Sequence, residues 1–203
     1  MGVLQNFLLA FLFSFLGSIP PGTLNLTILQ LGVEKKTNIA WRFAIAAALI
    51  EYPYAWLAVT FENFITSSPV IIGNFKLISA IAMVLLGVFN IWSTQKPTVF
   101  MERFQESGFR RGMLLSILNP LAMPFWIAIT AYLSVQGWIV LDDNSHLHSY
   151  LLGISLGAFT LLIGVAYLAR RMVSVFQPGS KIKLIPGFVL IVLGLYAFID
   201  YLL

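Results

Sequence analysis

No cysteine occurs among the 203 residues, which excludes disulfide scaffolds, thiolate metal sites and thiol-redox relays. Charge is scarce as well: 10% of the chain is Asp, Glu, Lys or Arg, against roughly a quarter in an ordinary soluble domain. The amino terminus, MGVLQNFLLAFLFSFLGS, lacks the basic n-region of a signal peptide and has no convincing small-residue cleavage site. It reads as a retained first span. What fills the chain instead is apolar: 59% of residues are hydrophobic and the mean hydropathy is +0.90. Long apolar segments recur, and a spanning helix needs about 20 such residues. The chain therefore has room for several spans and none for a sizeable soluble domain.

Six spans are expected, at about 4–31, 38–61, 70–92, 109–134, 148–169 and 184–203, the first interrupted at residues 20–22 and all joined by short loops. Lys35, Lys36 and Arg42 follow span 1; Lys96, Arg103, Arg110 and Arg111 follow span 3; Arg170, Arg171, Lys181 and Lys183 follow span 5. Eleven of the twelve Lys and Arg residues thus share one side, with Lys76 alone on the other. The positive-inside rule makes those three loops cytoplasmic and puts both termini outside. Topology accounts for the basic pI near 9.5, and nucleic-acid binding is not needed to explain it. Trp41 and Trp92 fall near the inner span ends, and Trp138, Tyr150 and Tyr201 near the outer ends, as an aromatic belt requires.

The two halves pair in order. Span 1 breaks at Pro20-Pro21, and span 4 carries Asn119-Pro120 followed by Pro124. Span 2 has Ala44, Ala48, Glu51 and Ala55 on one helical face, and span 5 repeats the spacing with Gly153, Gly157, Thr160 and Gly164. Span 3 reads VLLGVF from Val84 and span 6 IVLGLY from Ile191. The offsets are 100, 109 and 107. Three spans per half make the second half enter from the opposite side, an inverted-topology repeat. The expected fold is an all-α integral membrane protein: one transmembrane domain over 1–203, with repeat 1 at about 1–95 and repeat 2 at about 105–203, and with helices 1 and 4 broken by proline. Such repeats hold their solute near the midplane, where broken helices expose backbone groups.

Candidate chemistry follows from that frame. Glu51 is the one acidic residue placed deep in a span, where an ionised carboxylate costs at least a few kcal/mol without partners or water. It is a candidate coupling or cation-binding group; a structural, hydrogen-bonded carboxyl locking spans together is the alternative. Around Pro20, Pro21 and Gly22 the helix loses roughly 3 kcal/mol or more per interior proline, leaving amides and carbonyls beside Thr23 and Asn25. Asn119 before Pro120 repeats the logic, because the residue preceding proline is steered from helical angles. Trp126, Tyr52, Tyr54 and Trp56 lie deeper than an interfacial belt requires, either packing between helices or lining a path that holds an ammonium group by a cation–π contact. Thr160, at the position matching Glu51, completes the candidate solute- or ion-binding set. Neither a metal nor a cofactor is expected. GISLG, Gly153 to Gly157, fits the G-x-S-x-G pattern of serine hydrolases, but His146 and His148 lie in the loop just before this helix and no second helix brings a base across. A small-residue packing face explains the same letters. The loop DDNSHLHS, Asp142 to Ser149, reads as a solvated external loop rather than a divalent-metal site.

Two motifs carry a resemblance over essentially the whole chain. Pro21-Gly22-Thr23-Leu24-Asn25 is similar to a Pro-Gly-Pro-Asn-like element, and Gly112, Leu118-Asn119-Pro120 and Phe125-Trp126 are similar to a glycine, Leu-Asn-Pro and aromatic series, both of the lysine exporter (LysE/RhtB-type) translocators. The resemblance implies efflux of amino acids or related small amphiphilic solutes, driven by protons, in the bacterial inner membrane. Partners are then the solute, protons and the lipid bilayer, and a homodimer is left open. Thr23 stands where relatives carry a second proline, Leu121 where a lysine often follows Asn-Pro, and an aspartate of basic-amino-acid exporters is absent. Export of lysine or arginine is therefore not supported. A non-transporting membrane assembly protein and a passive channel are the alternatives; an enzyme is not, since the spans offer no nucleophile and base pair.

Overall fold

The structure, a computed structural model, describes residues 2–19, 22–66, 107–119 and 122–171, with isolated helical positions at 81, 84, 85, 88, 191, 192, 195, 198 and 199. Most of expected spans 3 and 6, and Pro20, Pro21 and Pro120, lie outside the described residues. Six helices and no strand occur among the described residues: α1 Val3–Gly17, α2 Thr23–Val33, α3 Thr37–Thr66, α4 Gly108–Ile117, α5 Ala122–Val135 and α6 Asn144–Arg171. Over Thr37–Phe61, α3 is long and apolar enough to cross a membrane, as is α6; α4 and α5, bent by 64°, qualify together as a third span. The 15 residues of α1 give about 22 Å of helix at 1.5 Å per residue, short of the roughly 30 Å hydrocarbon core.

Side-chain size, rather than polarity, decides which face packs. In α1 the buried stripe is Asn6, Ala10 and Ser14, while Leu4, Leu8, Leu12 and Leu16 are exposed. With lipid as apolar as leucine, there is nothing to gain by hiding leucine, and small residues let backbones approach closely. Across this seam α6 contributes glycine: a methyl group on Gly153 would collide with the carbonyl oxygen of Phe7, and one on Gly157 would stand 2.7 Å from the Ser14 Cβ. The Ser14 hydroxyl donates to the Ile154 carbonyl oxygen at 2.6 Å. Residue numbers rise together along the seam, so α1 and α6 run parallel. The seam between α3 and α4 is built alike, Gly108 lying on the Ile39 carbonyl and Gly112 on that of Phe43, and those two helices are also parallel.

The helix ends share a motif. The Lys36 N–H reaches the Leu31 carbonyl and the Lys35 N–H that of Gly32, at 2.9 and 3.0 Å, closing α2; the Trp138 and Gly137 amides do the same to Leu133 and Ser134, both at 2.9 Å, closing α5. Both are Schellman closures, which need a left-handed residue; these are Lys35 at φ 57° and Gly137 at φ 66°. Packing then divides into two apolar clusters. One gathers Ala10, Ala55, Ala58, Val59, Leu133 and Ile154; the other gathers Ile28, Leu31, Phe43, Ala44, Leu162 and Ala166. The second lies toward the basic end, where Arg170 donates to the Thr37 hydroxyl at 3.3 Å. At the opposite end Asn6 donates to the Val140 carbonyl at 2.7 Å.

Two sequence expectations change. α6 starts at Asn144, not near 148, because the Asp143 carboxylate accepts the His146 amide at 2.7 Å and caps the helix; both histidines are thus helical rather than in a loop. Tyr150, assigned to an interfacial belt, is fully buried, since the Thr130 hydroxyl gives its phenol a hydrogen-bond partner at 2.9 Å.

Candidate functional site

The site is built on four consecutive residues of α3, Glu51 to Tyr54. Pro53 lies inside this helix; it has no amide to give the carbonyl one turn back, so α3 has a weak point there. The flanking side chains reach three other helices. Glu51, half-buried, accepts the Trp126 indole N–H of α5 on its Oε2 at 2.9 Å. Tyr54 donates to the Ile117 carbonyl, in the last residue of α4. Tyr52 shares a hydrogen bond of 2.5 Å with Nδ1 of His148 in α6, their rings lying within 12° of parallel. One turn of α3 thus holds both pieces of the α4–α5 pair across the break between them.

That break is joined to the one between α1 and α2. Phe125 packs edge-on to Trp126, ring centroids 4.9 Å apart, and its ring fills the space over Gly17, where a methyl group would collide with it. Gly17 is the last residue of α1. Across this first break, Asn25 Nδ2 donates to the Ser18 carbonyl at 2.5 Å, tying the start of α2 to the end of α1. A continuous path of contacts therefore runs from Asn25 and Ser18 through Gly17, Phe125, Trp126 and Glu51 to Tyr54 and Ile117. Asn119 sits in the second break, half-buried, its amide bonded to the Ser116 carbonyl at 3.1 Å.

The remaining candidates fall differently. Gly22 precedes α2 in an extended conformation, with nothing within 4 Å of where a Cβ would lie, and Thr23 is exposed at the start of that helix. Thr160 is exposed on α6 and gives its hydroxyl to its own helix, at the Leu156 carbonyl 2.7 Å away. The structure does not bring it to Glu51. Ser155 of GISLG is buried and its hydroxyl has no partner among the described residues. Asp142, Asp143 and His146 come together at the start of α6, where they satisfy one another: His146 Nδ1 lies 2.9 Å from Asp142 and 3.1 Å from Asp143. The His146 amide bond holds the Asp143 carboxyl below the usual carboxylate value. Sequence reasoning missed Pro53 and the Tyr52–His148 pair. A proline two residues after an intramembrane acid was the available signal for the first; nothing local signalled the second.

Against known families, the model of the LysE type translocator matches residues 15–201. No curated protein and no solved structure matches the chain.

Proposed function

The chain belongs to the family of LysE type translocators, and from that membership and the geometry around Glu51 we propose that it is a proton-coupled secondary exporter of amino acids or related small amphiphilic solutes. The family consists of transporters rather than enzymes, and the chain is a multi-pass membrane protein of efflux type. The observation that carries the finer reading is the indole–carboxylate bond between Trp126 and Glu51, three residues from the tyrosine that holds the end of α4. A lone carboxylate at that depth costs a few kcal/mol. Setting it where two broken helices meet lets its charge act on both.

Packing supports the inverted repeat. Exchanging the halves sends α1 and α2 to α4 and α5, and α3 to α6. The α1–α6 seam then becomes the α4–α3 seam, and both are parallel and glycine-lined. The twin closures of α2 and α5 fit the same exchange. α3 runs away from the basic end and α4 starts there again, which fits the six-span order. Six spans, both termini outside, proline-broken helices 1 and 4 and residence in the bacterial inner membrane complete the reading. Pro20, Pro21, Gly22, Thr23, Asn25, Glu51, Asn119, Pro120 and Trp126 frame the solute path. Alternating access would open one apolar cluster at a time around the Glu51 level. In proteoliposomes, a pH gradient is expected to drive amino-acid accumulation against a concentration gradient. Equilibration without accumulation would mark a channel, and absence of flux an assembly protein.

A further inference from the structure

α3 and α6 are fastened to each other at both ends by side chains that serve no purpose in the glycine seams. Toward the basic end, the Trp41 indole donates to the Tyr167 hydroxyl at 3.2 Å, the Trp41 ring packs edge-on to Phe159 at 5.4 Å, and Arg170 donates to the Thr37 hydroxyl. Toward the start of α6, Tyr52 and His148 share their hydrogen bond under near-parallel rings. The helices are antiparallel, since 41 pairs with 167 and 52 with 148. Each fastening lies beside a different apolar cluster: Phe159 packs on the one holding Phe43 and Leu162, and Tyr52 on the one holding Ala55 and Ile154.

All four groups of the two aromatic pairs carry polar atoms at half-buried or exposed positions. Opening either pair therefore exposes groups that entering water satisfies, and the cost of opening is one ordinary hydrogen bond plus ring contact. A pair buried in the dry clusters would cost far more. On α6, between His148 and Tyr167, lies Ser155, buried and with its hydroxyl unpartnered among the described residues. A buried hydroxyl without a partner is costly to keep in a static core. It suits a position that meets water when one end of the helix pair opens.

We propose that Tyr52–His148 and Trp41–Tyr167 are the two latches of the transport cycle, each holding one end of the α3–α6 pair shut while the other opens. The inference rests on the export reading and adds to it the residues that gate each face. Tyr52 follows Glu51 directly in α3, so the latch at that end moves with the carboxylate. The latch at the basic end is backed by Arg170 on Thr37.

The absence of cysteine makes the test direct. With Ser155→Cys as the single thiol, labelling by a membrane-impermeant maleimide is measured in vesicles of each orientation. Tyr52→Phe and His148→Leu are both expected to raise labelling from the face nearer residue 144, by about two- to tenfold, the population shift that loss of one hydrogen bond produces. Trp41→Phe and Tyr167→Phe are expected to raise it from the basic face by a similar factor. The opposite face should stay unchanged or fall in each case. Agreement between the two variants of a pair guards against one that misfolds. Equal labelling changes at both faces, or none, would overturn the latches. Labelling needs no solute, so the export reading fails separately, if the unaltered protein shows no accumulation.

Discussion

Replacing Glu51 by glutamine removes a charge and little else. The amide oxygen of Gln can still accept the Trp126 indole N–H that Glu51 accepts at 2.9 Å, so the shape around Pro53 is kept. Two energies compete. A hydrogen bond to a charged group contributes about 1.5–3 kcal/mol and one between neutral groups about 0.5–1.5, so the bond weakens by about 1 kcal/mol. Against this, a carboxylate in the middle of a span costs about 2.5–3.5 kcal/mol on insertion scales, and the amide relieves most of it. Glu51→Gln should therefore unfold no earlier than the unaltered protein, and is expected to gain about 1 kcal/mol. Transport should behave in the opposite way. One pH unit is worth 1.36 kcal/mol per proton, or about tenfold in concentration, so exchange of one proton per solute gives about tenfold accumulation across a unit gradient. In the Gln variant that ratio should fall to about 1, while solute exchange in the absence of a gradient persists. Thermal unfolding in detergent and radiolabelled solute flux in proteoliposomes read the two halves. Tenfold accumulation by a folded Gln variant would refute the coupling role, and a clear loss of stability would show the carboxylate to be structural.

Trp126→Phe removes the only donor seen on Glu51 among the described residues and should lower stability by about 1.5–3 kcal/mol, checked by thermal unfolding; added to Glu51→Gln it should cost much less. Gly153→Ala places a methyl group on the Phe7 carbonyl and 2.9 Å from the Ala10 Cβ, an overpacking worth about 1–3 kcal/mol, visible as a lower melting temperature. Gly137→Ala meets no atom within 4 Å yet must take φ 66°, for about 1 kcal/mol; Lys35→Gly, relieving φ 57°, should be neutral or stabilising. Lys36 at 2.7 Å, with help from Gln30, holds the Glu34 carboxyl below its ordinary 4.5. Its stabilisation is thus complete above pH 4.5 and lost as pH falls through the lowered value. Solvent keeps this below about 1 kcal/mol, and in a titration of melting temperature Glu34→Gln should remove that acid step.

Apolar length made the helices legible in the sequence: α3 runs over Thr37–Thr66 where a span at 38–61 is expected, and α4 and α5 lie within one residue of 109–134 at either end. Errors came where a single polar group overrides hydropathy. Asp143 extends α6 by capping it, and Thr130 draws Tyr150 into the core. A hydropathy profile averages over the one atom that matters in each case. Glu51 was legible because a charge in a span is rare, and Trp126 because it lay too deep for a belt. Their contact, across 75 residues, was not, since nothing in either local pattern encodes the other. Tyr54 was visible as an aromatic, but its use as a donor to the Ile117 carbonyl depends on where α4 stops.

The harder lesson concerns small residues. Matching Ala44 and Ala48 to Gly153 and Gly157 assumes that equivalent seams put their smallest residues on equivalent helices. In the α1–α6 seam glycine sits on α6, against Phe7 and Phe11; in the α4–α3 seam it sits on α4, at Gly108 and Gly112, against Ile39 and Phe43. Close approach needs a missing Cβ on one side only, and either partner can supply it. The two seams are thus alike in geometry and opposite in sequence. Under the proposed exchange of halves, comparing them letter by letter underrates a likeness of helix direction and contact.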